Sequence, residues 1–200
     1  GAAIETRGKF YAALGDQGQA VSFLREQLRK YAGTSIETRL RKNLLLLDLA
    51  GRPMPPLDTS SWLGPHRFDP AELSGKVTLF FFWAHWCEDC EAQKPILLRL
   101  RRRFGGQGLQ VVAPTRLYGY LERGRDVSAE IEREHVQNRR VDAHPLLSAV
   151  AVPISGKNFV AFGVSSTPTL VLVDREGVVR LYHPGRMEEG VLAAEIERLL

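Results

Sequence analysis

Cysteine is scarce: Cys87 and Cys90 are the only two among 200 residues, which excludes a small scaffold stapled by many disulfides. Long apolar runs are missing as well. The longest, Leu44–Leu47 and Val77–Ala84, fall far below the roughly 18 to 20 residues that span a bilayer. No signal peptide opens the chain, and a membrane tether ahead of Gly1 is held as an expectation. Apart from one stretch like a lone tetratricopeptide unit, there is no internal repeat and no low-complexity tract. With 44% apolar and 25% charged residues, disorder and collagen are excluded and material for one good core is present. Lys plus Arg exceed Asp plus Glu by 27 − 23 = +4, but the arginines are scattered, so a nucleic-acid partner has no support.

What is present starts with those two cysteines. Two placed at random in such a chain would fall three apart roughly one time in a hundred. A Cys-x-x-Cys pair at a helix start can close a small disulfide ring, and the first thiol meets unpaired N–H groups and the helix dipole, which stabilise the thiolate. The alternatives are half of a structural zinc site or inert buried cysteines. A zinc site needs two more ligands, and there is no second cysteine pair. His66, His85, His135, His144 and His183 are dispersed along the chain.

Residues 1–52 read as helical. Ala20, Leu24, Leu28 and Tyr31 mark one face, Gly33 stops the segment, and Thr34-Ser35-Ile36-Glu37 reads as a capping box for a helix with Leu40, Leu44 and Leu47 inside. The stretch from Tyr11 to Ala20 looks like the helix–turn–helix of a tetratricopeptide repeat. Pro53, Pro55 and Pro56 make residues 51–57 a linker, so a second domain is expected over 53–200. There Val77–Trp83 reads as a central strand leading into the cysteines. Ile96, Leu97, Leu100 and Phe104 mark a helix with a kink at Pro95, its outside decorated by Arg99, Arg101, Arg102 and Arg103 as a solvated face. A strand at Leu109–Ala113, a charged helix at Val127–Arg139, a hairpin of Leu170–Val173 with Val178–Tyr182 turned at 174–177, and a helix at Glu188–Leu200 complete an α/β sandwich plan.

The segment from Phe82 through Trp86-Cys87-Glu88-Asp89-Cys90, with Pro95 downstream and Ser166-Thr167-Pro168-Thr169 before an apolar strand, closely resembles the thioredoxin superfamily. Extra sequence from Leu57 to Phe68 and a long segment between Ala113 and Pro168 are similar to the TlpA/ResA-type extracytoplasmic redoxins. The resemblance implies a thioredoxin-like three-layer sandwich, with a mixed central sheet and helices on both faces, carrying an N-terminal helical extension. It implies a thiol–disulfide oxidoreductase of the bacterial periplasm, without cofactor or metal, acting on protein disulfides and recharged by an upstream thiol reductant. By motif position Cys87 is the nucleophile and Cys90 the resolving thiol. Trp86, Thr167 and Pro168 are substrate-contacting positions, with the bond before Pro168 cis.

Two departures stand out. Phe81 occupies the place of a buried Asp, and Gln93 that of a Glu three residues after the second cysteine. A base for Cys90 must then come from Asp89, from His85 if that is not merely an exposed strand-end histidine, from a Glu of the 127–139 helix, or from water. Glu88 and Asp89 oppose formation of a thiolate beside them, which predicts a reducing role, while the helix N-terminus pulls the other way.

Three other readings compete. A thiol peroxidase on this scaffold lacks its Thr-x-x-Cys environment, since Ala84 stands three before Cys87. A Cu(I) chaperone would use Cys87, Cys90 and a distal His135, His144 or His183. A docking protein would use the N-terminal helices to bring the redox unit to a complex.

Overall fold

The computed structural model describes residues 2–122 and 124–200. Its central sheet forms where the apolar runs are: β2 (Val77–Phe82) is buried at every position and lies between β3 (Leu109–Val112) and β7 (Thr169–Val173), with β8 (Val179–Pro184) outermost. β2 runs parallel to β3 and antiparallel to β7, and β7 pairs antiparallel with β8. A strand apolar on both faces needs cover on both. Leu79, Phe81 and Trp83 join one cluster with α4 (Glu88–Phe104) and α7 (Glu189–Glu197), whereas Phe80 and Phe82 join a second with Phe159, Phe162 and Leu49. The fold is the thioredoxin-like α/β arrangement that the strand and helix order implies, with three N-terminal helices added.

These helices are α1 (Ala2–Ala13), α2 (Gln17–Lys30) and α3 (Glu37–Asp48). Gly8 of α1 allows a close approach, since a Cβ there would stand 3.1 Å from Leu24 of α2. α3 packs on the second cluster's side of the sheet, where a Cβ on Gly163 would meet Leu45 at 2.7 Å. The expected capping box is not made: Ile36 is the N-cap residue and has no side-chain cap bond. The Glu37 carboxylate instead accepts from the Gly33 N–H (2.7 Å), and the Thr34 hydroxyl donates to the Tyr31 carbonyl (2.6 Å).

Each outer edge of the sheet is covered at one end. Gly51 and Met54 donate to the Val179 and Gly177 carbonyls, and Val179 donates to Arg52. On the other side, β6 (Val152–Pro153) pairs antiparallel with β1 (Trp62–Leu63), while the flanking Ala151 and Ile154 form parallel bridges to Val112 and Thr115. Neither short strand was expected, nor were the hairpin β4 (Tyr120–Glu122) with β5 (Arg125–Asp126) and the helix α6 (Gly156–Ala161). α5 (Ala129–Val136) is shorter than the charged helix expected over 127–139, because the chain continues as a π turn over Gln137–Val141. The arginines after Pro95 lie on the solvent side, and two of them also make ion pairs. Arg99 and Arg103 pair with Glu189 (2.7 Å) and Glu197 (2.5 Å) and tie α4 to α7.

Candidate active site

β2 ends at Phe82, and the turn over Trp83–Trp86 brings the chain to Cys87, the N-cap residue of α4. Its sulfur accepts from the Cys90 N–H at 3.1 Å, a capping contact normally made by an oxygen. Cys87 and Cys90 form a disulfide with Cα atoms 5.2 Å apart. Cys87 keeps 5% of its surface exposed and Cys90 none, so the first sulfur is the one a partner can reach. Of three carboxylates in the first turn of α4, two have counter-cations. Asp89 lies 3.8 Å from Arg186, and Glu91 lies 2.7 Å from Lys94 and 3.7 Å from Arg140. Among the described residues Glu88 alone is left without one, which weakens the charge argument drawn from the Glu88-Asp89 pair.

His85 is not an exposed strand-end residue. It is buried, with Nδ1 3.6 Å from Glu132 Oε1 and Nε2 without a partner. Burial lowers its pKa, and the Glu132 charge opposes that shift only in part. Glu132, wholly buried in α5, also accepts the Tyr118 and Gly119 N–H groups, both at 2.7 Å. Of the candidate bases the structure thus brings His85 and Glu132 together and leaves Asp89 exposed beside Arg186.

Phe81 is buried in the core, and Gln93, also buried, accepts the Met187 N–H at 2.9 Å, tying α4 to the segment before α7. Lys94, one turn after Cys90, is buried with its ammonium 5.1 Å from the centre of the Trp83 ring, and burial lowers its pKa. Its place was legible in the spacing, because Cys90, Lys94, Leu97 and Phe104 share one face. Among the described residues no three His, Cys, Asp or Glu side chains cluster as metal ligands. His135 lies beside His85, with ring centres 6.1 Å apart.

Trp86 is 44% exposed and stands between two clefts. One, of about 690 Å³, has Glu122, Asp126 and Arg140 in its walls. The other, of about 290 Å³, is lined by Arg116, Tyr118 and Tyr120 together with Ser165, Ser166 and Thr167. The Tyr118 ring packs edge-on to Trp86 (5.3 Å), and burial pushes its phenol up to about 12. Pro168 is buried, the bond before it is cis, and its carbonyl accepts from Gly185. The tyrosine wall belongs to the long segment between β3 and β7, whose two- and three-residue strands have too little periodicity to be read from sequence.

A Cys-x-x-Cys disulfide at the junction of a central strand and the helix covering it is an arrangement found in known proteins. The chain is 26% identical over 153 residues to the thiol:disulfide interchange protein DsbE of Xylella fastidiosa, covering 76% of this chain and 70% of that one. It is 28% identical over 127 residues to the thiol-disulfide oxidoreductase ResA of Halalkalibacterium halodurans, covering 63% and 64%. Among solved structures, a thiol-disulfide isomerase from Corynebacterium glutamicum superposes with a TM-score of 0.57 at 17% identity, over 75% of this chain and 96% of that one. A thiol:disulfide interchange protein of Chlorobium tepidum gives 0.55 at 18%, over 74% and 97%. Residues 65–200 match the model of the thioredoxin-like domain. Cysteine spacing, sheet order and these likenesses agree that the chain belongs to the thioredoxin-like family, among homologues that are thiol-disulfide oxidoreductases.

Proposed function

We propose that this protein reduces disulfides in protein substrates outside the cytoplasm. The observation that carries the reading is the Cys87–Cys90 disulfide at the N-terminus of α4, with only the first sulfur exposed. In the dithiol form, the Cys87 thiolate attacks one sulfur of the substrate disulfide. That bond breaks, and the departing sulfur takes up a proton. Cys90 then loses its proton and attacks the Cys87 sulfur, which restores the Cys87–Cys90 bond and releases the second substrate thiol. Two electrons pass from the dithiol to the substrate, and an upstream thiol reductant returns them. Backbone N–H groups at the start of α4 favour the attacking thiolate.

Trp86 and the Thr167–Pro168 segment serve as the substrate-contacting surface. This is supported by the exposure of Trp86 and by its sharing one cleft with Thr167. Residues 1–52 act as a helical module attached to a redox unit over 53–200. The extracytoplasmic setting is supported by likeness to DsbE and ResA. Among the described residues no helix is long and apolar enough to cross a membrane.

The test is covalent capture. Reduced protein with Cys90→Ser should accumulate a mixed disulfide with a disulfide-containing protein such as oxidised insulin, seen by non-reducing electrophoresis and cleared by dithiothreitol. Cys87→Ser should capture nothing. Equal capture by both variants, or by neither, overturns the reading. A potential measured against glutathione on the side of strong oxidants would overturn the reducing direction alone.

A further inference from the structure

The cleft beside Trp86 does not end at Thr167. Arg116, Phe159, Val164, Ser165 and Ser166 line both this cleft and a second one of about 480 Å³, whose far wall is α3. The two form one groove from the exposed Trp86 to the N-terminal helices. Its charged lining is cationic throughout: Arg116 in the middle, then Arg39 and Lys42 on α3, with the hydroxyls of Ser165 and Ser166 between. Among the described residues no Asp or Glu lines either cleft, in contrast to the cleft on the other side of Trp86 with its Glu122 and Asp126.

The cations differ in how far they are engaged. Arg39 pairs with Glu5 at 2.9 Å and the Lys42 charge also acts on that carboxylate, while Arg116 makes no ion pair among the described residues. The Arg116 guanidinium is held over the rings of Tyr118 and Phe159, at 4.7 and 5.3 Å from their centres. That stacking fixes its plane without neutralising it, which suits a cation waiting for a carboxylate.

We infer that this groove binds an acidic, extended stretch of the substrate polypeptide lying to one side of its disulfide, so that the N-terminal helices select the substrate. The inference rests on the oxidoreductase reading above. Glu88 at the start of α4, without a counter-cation among the described residues, adds direction, because its charge turns an acidic stretch away from that side and towards Arg116 and Lys42.

The full-length protein, reduced beforehand, is mixed with peptides closed by one internal disulfide. Each carries three Glu or three Lys residues, placed on the N- or the C-terminal side. Rates are divided by those of the same peptides with dithiothreitol, which removes intrinsic differences between the disulfides. In at least one placement the Glu peptide should react about tenfold faster than its Lys counterpart, and salt should shrink the difference. Lys42→Glu with Arg116→Glu should invert that ratio. Lys42→Gln with Arg116→Gln, a milder pair that keeps the packing, should bring it near one. A ratio compared within one variant is insensitive to changes in dithiol reactivity. Equal normalised rates for Glu and Lys peptides in both placements, or a ratio unmoved by both double variants, overturns the inference. Bis(2-hydroxyethyl) disulfide, which is uncharged, separates the two failures: if the protein reduces it but shows no peptide preference, only the groove is wrong. Failure to reduce it or any peptide overturns the oxidoreductase reading as well.

Discussion

Removing the Glu132 carboxylate tests how the wall beside Trp86 is held. Its two oxygens accept the Tyr118 and Gly119 N–H groups at 2.7 Å each, and one of them lies 3.6 Å from His85. Hydrogen bonds to a charged acceptor contribute about 1.5 to 3 kcal/mol each, and a buried donor left alone costs about 1 to 3 kcal/mol. Gly119 is exposed, so water can replace its partner, and deleting a buried charge also recovers desolvation energy. The balance for Glu132→Ala is a loss of about 3 kcal/mol, a large part of the roughly 5 to 15 kcal/mol of a typical domain. Glu132→Gln keeps one acceptor and should lose about half as much. Urea unfolding followed by tryptophan fluorescence gives the difference, and hydrogen exchange should speed up at 118–122. An alanine variant within about 0.5 kcal/mol of the parent would refute this account of the wall.

Two further measurements address stability. Burial lowers the pKa values of His85 and His144, so on acidification the unfolded chain takes up protons first. Stability present above about pH 6.5 should therefore decline as pH falls through that value towards the folded pKa values. The urea midpoint should drop between about pH 7.5 and 5.5, and His85→Gln with His144→Gln should flatten the slope; an unchanged slope contradicts it. Glu5 and Asp58, lowered from 4.5 and 3.8 to about 2 by their hydrogen-bonding partners, act in a separate window, their contribution being lost progressively as pH falls from those ordinary values towards 2. Gly163→Ala should cost about 2 to 4 kcal/mol by calorimetry or denaturant, since the residue has φ +63° and a Cβ would come within 2.7 Å of Leu45 and 3.0 Å of the Lys42 nitrogen. A loss below about 0.5 kcal/mol would mean that α3 is not seated there.

Much of the scaffold was legible because it rests on local patterns. The apolar run at 77–83 could only be a covered strand, and Asp174 to Gly177 turns the β7–β8 hairpin as its composition implied. The cysteine spacing located the disulfide, and the charged helix was found in approximate extent. The environment around the site was harder to read. Spacing does not single out Glu132 among the glutamates of the 127–139 helix, yet it is buried, because two N–H groups and a histidine from another element need it. His85 followed the same logic in reverse, its exposure having been judged without knowledge of the hairpin that covers it. The capping box failed because Glu37 found a nearer donor in Gly33. The groove reaching α3 could not be read at all, because its walls come from residues more than a hundred positions apart.

The two partly covered margins of the central sheet bear on how foreign backbone can be received. Residues 51–54 bond to the chain at 177–179, the start of β8, and residues 151–155 meet the other rim only at Val112 and just beyond it, so each rim is closed at one end. A polypeptide that pairs with either rim meets the covering segment within a few residues, which limits the ladder it can build.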